Sequence, residues 1–130
     1  MTSSVTSRIS EPQISTLVDT FYAKVRQDPE IGPIFNAAID DWPAHLALLK
    51  NFWSTVLLTT GRYKGDPMMT HLSLPIEEKH FARWLQLFEQ TATEILPPPI
   101  AANIVNKAHR IAGNFKLGIA FHRQSSSSTA

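Results

Sequence analysis

Four runs of this chain place apolar residues three and four positions apart, and no run alternates them in twos. That spacing puts one apolar stripe on each of several helices and leaves no half-buried strand. The first stripe is Ile14, Leu17, Val18, Phe21 and Val25, with Tyr22 at its edge. Ser10-Glu11-Pro12-Gln13 precedes it as a capping box with proline in the first turn. The helix is predicted to run to about Asp28, where Pro29 restrains its neighbour. A short turn, IGPIFNAAI, then leads to Asp40-Asp41-Trp42-Pro43, an aspartate cap followed by proline. His45, Leu49, Phe52 and Val56 continue from it as a second stripe, widened by Trp53 and Leu57. STVLLTT alone would suit a strand, but it prolongs the stripe and so reads as helix. Glu77 and Glu78 open a third helix at its positive dipole end, with the face Phe81, Trp84, Leu85, Phe88, Ala92 and Ile95. After Pro97-Pro98-Pro99 breaks the chain, a last helix carries Ile100, Ile104, Ala108, Ile111, Phe115 and Ile119. The expected fold is all-α, with four main helices and two short ones.

A chain of 130 residues holds one domain with a single sizeable core. Its expected limits are residues 10–123, between a flexible N-terminus (1–9) and the disordered tail QSSSSTA (124–130). A formal net charge of +1 gives no broad basic field, so nucleic acid is not an expected partner. No apolar run reaches the length of a membrane span, and MTSSVTSRIS has no apolar core of a secretory signal. A cytoplasmic protein without a membrane partner is expected. The lack of cysteine removes disulfides, thiolate metal sites and thiol catalysis.

The stretch GDPMMTHLSLP, residues 65–75, puts His71 among two methionines and two leucines on a piece too short to fold alone. His45 leads an otherwise apolar stripe, where an ionisable group must be satisfied or put to use. His80, His109 and His122 read as surface or helix-end residues. Tyr22 and Trp84, each taken singly, read as amphipathic core residues. No carboxylate pair faces inward, which disfavours a two-acid hydrolase. There is no Gly-rich phosphate loop and no HExxH, and His45 and His71 have no obvious third zinc ligand. What remains is one imidazole on an isolated apolar segment, with a histidine, a tyrosine and a tryptophan on other helices. That set suits an iron porphyrin, whose flat ring needs an apolar slot and whose iron needs one imidazole and a few polar groups opposite.

The blocks FYAKVRQDPEIGPIFNAAI, WPAHLALLKNFW, YKGDPMMTHLSLP and HFARWLQLFE follow one another at compatible spacing. Together they resemble the truncated haemoglobins, and within them the bacterial third group, over about residues 11–122. The absence of the glycine-pair motifs used by other truncated groups agrees with that placing. The resemblance implies a two-over-two helical sandwich around haem b. It matches His71 to the proximal histidine that ligates iron, Tyr22 to the distal tyrosine and His45 to the histidine at the distal entrance. It matches Leu49 to the apolar residue above the iron, Trp84 to the distal tryptophan and Phe35 to the phenylalanine wedged against the porphyrin. Tyr63 and Phe81 fall at the haem edge, Phe52 is counted with them, and Met68 belongs to the proximal floor with Met69, Leu72 and Leu74.

The implied activity is reversible binding of O2, NO, CO or another small diatomic ligand at a five-coordinate iron. Tyr22 and Trp84 would both donate to bound O2 and slow its release, and His45 would gate the cavity. Two function classes stay open on this reading. One is an O2-binding module, a sensor or store. The other is a redox enzyme, for nitric oxide dioxygenation or peroxide reduction, drawing electrons from a separate reductase. Reductase-dependent turnover separates the two. A haem-free helical interaction domain is a third reading, marked by the absence of a Soret band.

Overall fold

The computed structural model describes residues 9–65 and 76–128, with side chains through Phe121. His71 and Met68, with Met69, Leu72 and Leu74, lie outside the described residues, as does the side chain of His122.

Helix α1 spans Glu11–Gln27 and begins at the capping box read from the sequence. Gln13 N–H donates to Ser10 Oγ at 3.3 Å, and Ser10 N–H donates to Gln13 Oε1 at 2.9 Å. Ile9, expected in the flexible leader, is instead buried in the same cluster as Ile14. The two occupy the positions of a hydrophobic staple, which packs the residue before the cap against the first turn of the helix. The ordered domain therefore begins at least one residue earlier than its polar composition suggests.

Asp28 ends α1 and ties three elements together. Its Oδ2 accepts the backbone N–H groups of Glu30 and Ile31, both at 3.0 Å. Its Oδ1 accepts from Arg83 Nε at 2.9 Å and Nη2 at 2.6 Å. The segment expected as a turn forms a short helix, α2 (Gly32–Ala38). Gly32 allows it to lie against α1, since a Cβ there would stand 2.9 Å from the Arg26 carbonyl oxygen.

Hydrogen bonding to Arg83 holds the Asp28 carboxyl below its ordinary value; burial opposes this, and the two backbone N–H groups add to it. A carboxyl that is the stronger acid when folded contributes fully above its unfolded value, about 3.9. That contribution drains as pH falls from there through the folded value. Asp28→Asn should be the weaker protein at pH 7 and should lose less than the wild type between pH 7 and pH 3. Urea unfolding at the two pH values checks this, and equal losses would detach Asp28 from acid stability.

Helix α3 (Trp42–Leu58) starts at Asp41, whose Oδ1 accepts Ala44 N–H at 3.1 Å. It stops at Thr59, which turns into the left-handed region at φ 57°. Helix α4 (Glu78–Ile95) starts at Glu77, and α5 (Pro98–Ser128) starts within the proline run. Pro97 restrains the Leu96 cap that ends α4, and Pro98 and Pro99 begin the next helix, because the first turn needs no intrahelical N–H donor. Helix α5 runs on to Ser128, past the boundary at 123 read from the serine-rich tail. Extending a helix adds a bond for each residue fixed, whereas starting one does not.

These five helices, with no strand among the described residues, confirm the all-α reading. Helix α1 packs on α2, α3 and α4, and α4 packs on α5, giving the two-over-two sandwich. Leu17, Phe21 and Val25 of α1, Trp53 of α3, Phe88 of α4 and Ile104 of α5 fill its centre. Helix α3 is the exception to the buried pattern. Only Trp42, Trp53 and Ser54 are buried on it, while His45, Leu49, Phe52 and Val56 are half-buried. Much of its apolar stripe faces a cleft.

Candidate functional site

The cleft encloses about 1010 Å³ counted out to its open mouth. Tyr22 of α1, Phe35 of α2, and His45, Leu49 and Phe52 of α3 line it, facing Phe81 and Trp84 of α4, with Tyr63 on the following loop. Every sequence-predicted site residue within the described part of the chain thus reaches one cavity. The described lining contains no lysine, arginine, aspartate or glutamate. Apolar and aromatic walls with a few neutral donors fit the face of a porphyrin.

Tyr22 is 4% exposed, and burial pushes its hydroxyl up to about 12, against the pull of a hydrogen bond from Trp84. An indole N–H only donates, so the Tyr22 oxygen accepts and its own O–H remains a donor. The hydroxyl is neutral across the physiological range. A stack of rings holds Trp84 in place. Phe88, one turn on, is 5.3 Å from it at 12°, and Trp53 lies 5.3 Å beyond Phe88 at 21°. Phe21 meets Tyr22, Trp84 and Phe88 edge-on, at 4.7, 5.3 and 5.0 Å.

His45 packs edge-on to Trp42, with ring centres 5.9 Å apart. Trp42 is itself fixed: its Nε1–H donates to Asn36 Oδ1 at 3.2 Å, and the Arg26 guanidinium sits 4.7 Å over its ring. His45 and Phe35 also line a second cleft, rimmed by Asp40 and Asp41. His45 therefore stands between two openings.

Tyr63 N–H donates to Thr55 Oγ1 at 3.0 Å, and its ring meets Phe52 edge-on at 5.4 Å. Gly65 lies close beneath that ring, where a Cβ would stand 2.6 Å from the Tyr63 hydroxyl. Ser54 Oγ donates to Glu11 Oε2 at 2.7 Å, and Arg62 pairs with the same oxygen at 3.0 Å. The loop is thereby tied to α1 and α3.

Residues 9–115 match the family described as bacterial-like globin. The chain belongs to that family. The globin is 38% identical over 113 residues to the group 3 truncated hemoglobin ctb of Campylobacter jejuni, a match covering 83% of this chain and 89% of that protein. The crystal structure of a group III truncated hemoglobin from Campylobacter jejuni superposes on it with a TM-score of 0.81. That match is 38% identical and covers 85% of this globin and 91% of the other chain. The third-group resemblance and the truncated-globin fold are borne out. Membership of the globins implies haem-based binding of a small diatomic ligand. No helix among the described residues of the globin is long and apolar enough to cross a membrane.

Sequence reasoning missed several parts of this globin's cleft. Ile111 and Phe115 of α5 line it, though they read as ordinary core, and so does Ala112, which the stripe did not include. His80 caps α4 as a helix-end residue but also stands on the wall. Its spacing of four from Trp84, which puts both on one face, was the available signal.

Proposed function

We propose that this globin holds haem b in the cleft through His71 and uses Tyr22 to retain a small diatomic ligand, O2 foremost. Haem held there would supply an iron able to take such a ligand. A buried, neutral Tyr22 hydroxyl backed by Trp84 at an apolar cleft is the observation that carries this reading. Its O–H donates to a ligand atom of partial negative charge. Trp84 acts through it: an N–H bonded to the phenol oxygen polarises the O–H and makes it a better donor. The resemblance has both groups donating to the ligand; on this reading Trp84 serves it through Tyr22. Phe35, Leu49, Phe52 and Phe81 supply apolar contact and keep water from competing, and His45 governs access from its place between the two clefts.

One hydrogen bond to a charged acceptor is worth roughly 1.5–3 kcal/mol, and about 1.4 kcal/mol is tenfold. Release of O2 is correspondingly slow. Slow release favours chemistry on held O2, such as nitric oxide dioxygenation, with electrons from a separate reductase; peroxide reduction would use the same pocket and the same kind of reductase, with peroxide in place of O2. Spectra of ferric, ferrous, CO and O2 forms test the reading after expression with haem supply. A Soret band and a five-coordinate ferrous spectrum are expected. No Soret band would return the chain to a haem-free helical domain, and a bis-histidyl ferrous spectrum would put His45 on the iron.

A further inference from the structure

Haem carries two propionate carboxylates, which a cleft taking the ring must meet near its mouth. The described lining offers neither lysine nor arginine for them. Among its polar members, Tyr22 and Trp53 are 4% and 2% exposed, too deep for a hydrated carboxylate. The Trp84 N–H faces the buried Tyr22. His45, Tyr63 and His80 stand part-way out.

In His80 the backbone sets the tautomer. Glu77 N–H donates to Nδ1 at 2.8 Å, the reciprocal bond of the α4 capping box. A ring that accepts at Nδ1 carries its own proton on Nε2. His80 thus offers a donor of fixed position, and its remaining nitrogen accepts nothing. The Glu77 carboxylate is turned back onto the His80 backbone N–H. His80 also lies in the first turn of α4, where the helix dipole favours an anion, and one turn before Trp84 on the same cavity wall.

We infer that His80 anchors the cofactor at its acidic edge, with Nε2–H donating to one propionate. The inference rests on the haem reading above. Its test is the rate at which ferric haem leaves the protein for excess apomyoglobin, compared with the rate for haem dimethyl ester, which has no free carboxylate. His80→Phe removes the donor and the cap together. His80→Glu keeps an acceptor for Glu77 N–H, as in an ordinary capping box, but sets a like charge against the propionate. Haem should leave about three- to tenfold faster from His80→Phe, the size of a partly exposed bond to a charged group. It should leave faster still from His80→Glu, and the ester should leave both variants at the wild-type rate. If His80 only caps α4, His80→Glu will hold haem like the wild type, and the proposal falls. Equal acceleration for haem and ester overturns it too, since that reports a loosened helix. A wild-type protein that takes up neither compound defeats the haem reading itself, whatever the variants do.

Discussion

His71→Ala should abolish tight haem binding. The histidine lies outside the described residues, so the argument comes from what surrounds the cleft. Among the described residues two other histidines reach it, and neither is placed to substitute. His45 is packed against Trp42 on α3. His80 has Nδ1 bonded to Glu77 N–H, which leaves its proton on the nitrogen that would have to ligate. Stability should fall with affinity, because a ligand that binds only the folded state stabilises it by about 4 kcal/mol at a thousand times its Kd. Haem titration followed at the Soret band should show weak, non-saturating uptake. The gain in Tm that the wild type shows on adding haem should disappear. A five-coordinate imidazole spectrum surviving in the variant would remove the assignment of His71.

Tyr22→Phe should raise the O2 dissociation rate by about ten- to a hundredfold, from the loss of one bond worth roughly 1.5–3 kcal/mol. CO carries little negative charge on its outer atom and should leave only slightly faster. Association rates, which His45 is positioned to govern, should stay near those of the wild type. Trp84→Phe should move O2 release in the same direction by less, since it weakens the Tyr22 donor without deleting it. In the Tyr22→Phe background the same change should add little, because the oxygen it acts through is gone. Stopped-flow release of both gases from the two single variants and the double decides the matter. Equal shifts for O2 and CO would sink the donor role of Tyr22. A double variant with additive effects would make Trp84 an independent donor to the ligand.

The helix starts were legible because their causes are local. Ser10 with Gln13 and Asp41 with Ala44 interact across three residues, and each start lies where the cap residue put it. Ile9 and the length of α5 were not legible. Composition reports that a segment is polar or terminal, but not that a neighbouring core accepts one more side chain or that an existing helix simply continues. Within the site, periodicity alone made Tyr22 and Trp84 core residues. An apolar stripe looks the same whether it faces a neighbouring helix or a cleft, and only the family resemblance separated the two. Pairings between distant parts of the chain stayed hidden altogether. Asp28 meets Arg83 across 55 positions, and no local pattern announces it. The approach of Trp84 to Tyr22 is of the same kind.

The ring stack on α4 has an optical consequence. The chain has 3 tryptophans, and all of them gather at the cavity. Trp53 and Trp84 line it, and Trp42 touches His45, which lines it as well. A porphyrin absorbs where indoles emit, and resonance transfer between them reaches much farther than this cleft is wide. Loading the globin should therefore darken its entire intrinsic fluorescence, with no distant indole left to shine through. The protein reports its own occupancy in light, without any label.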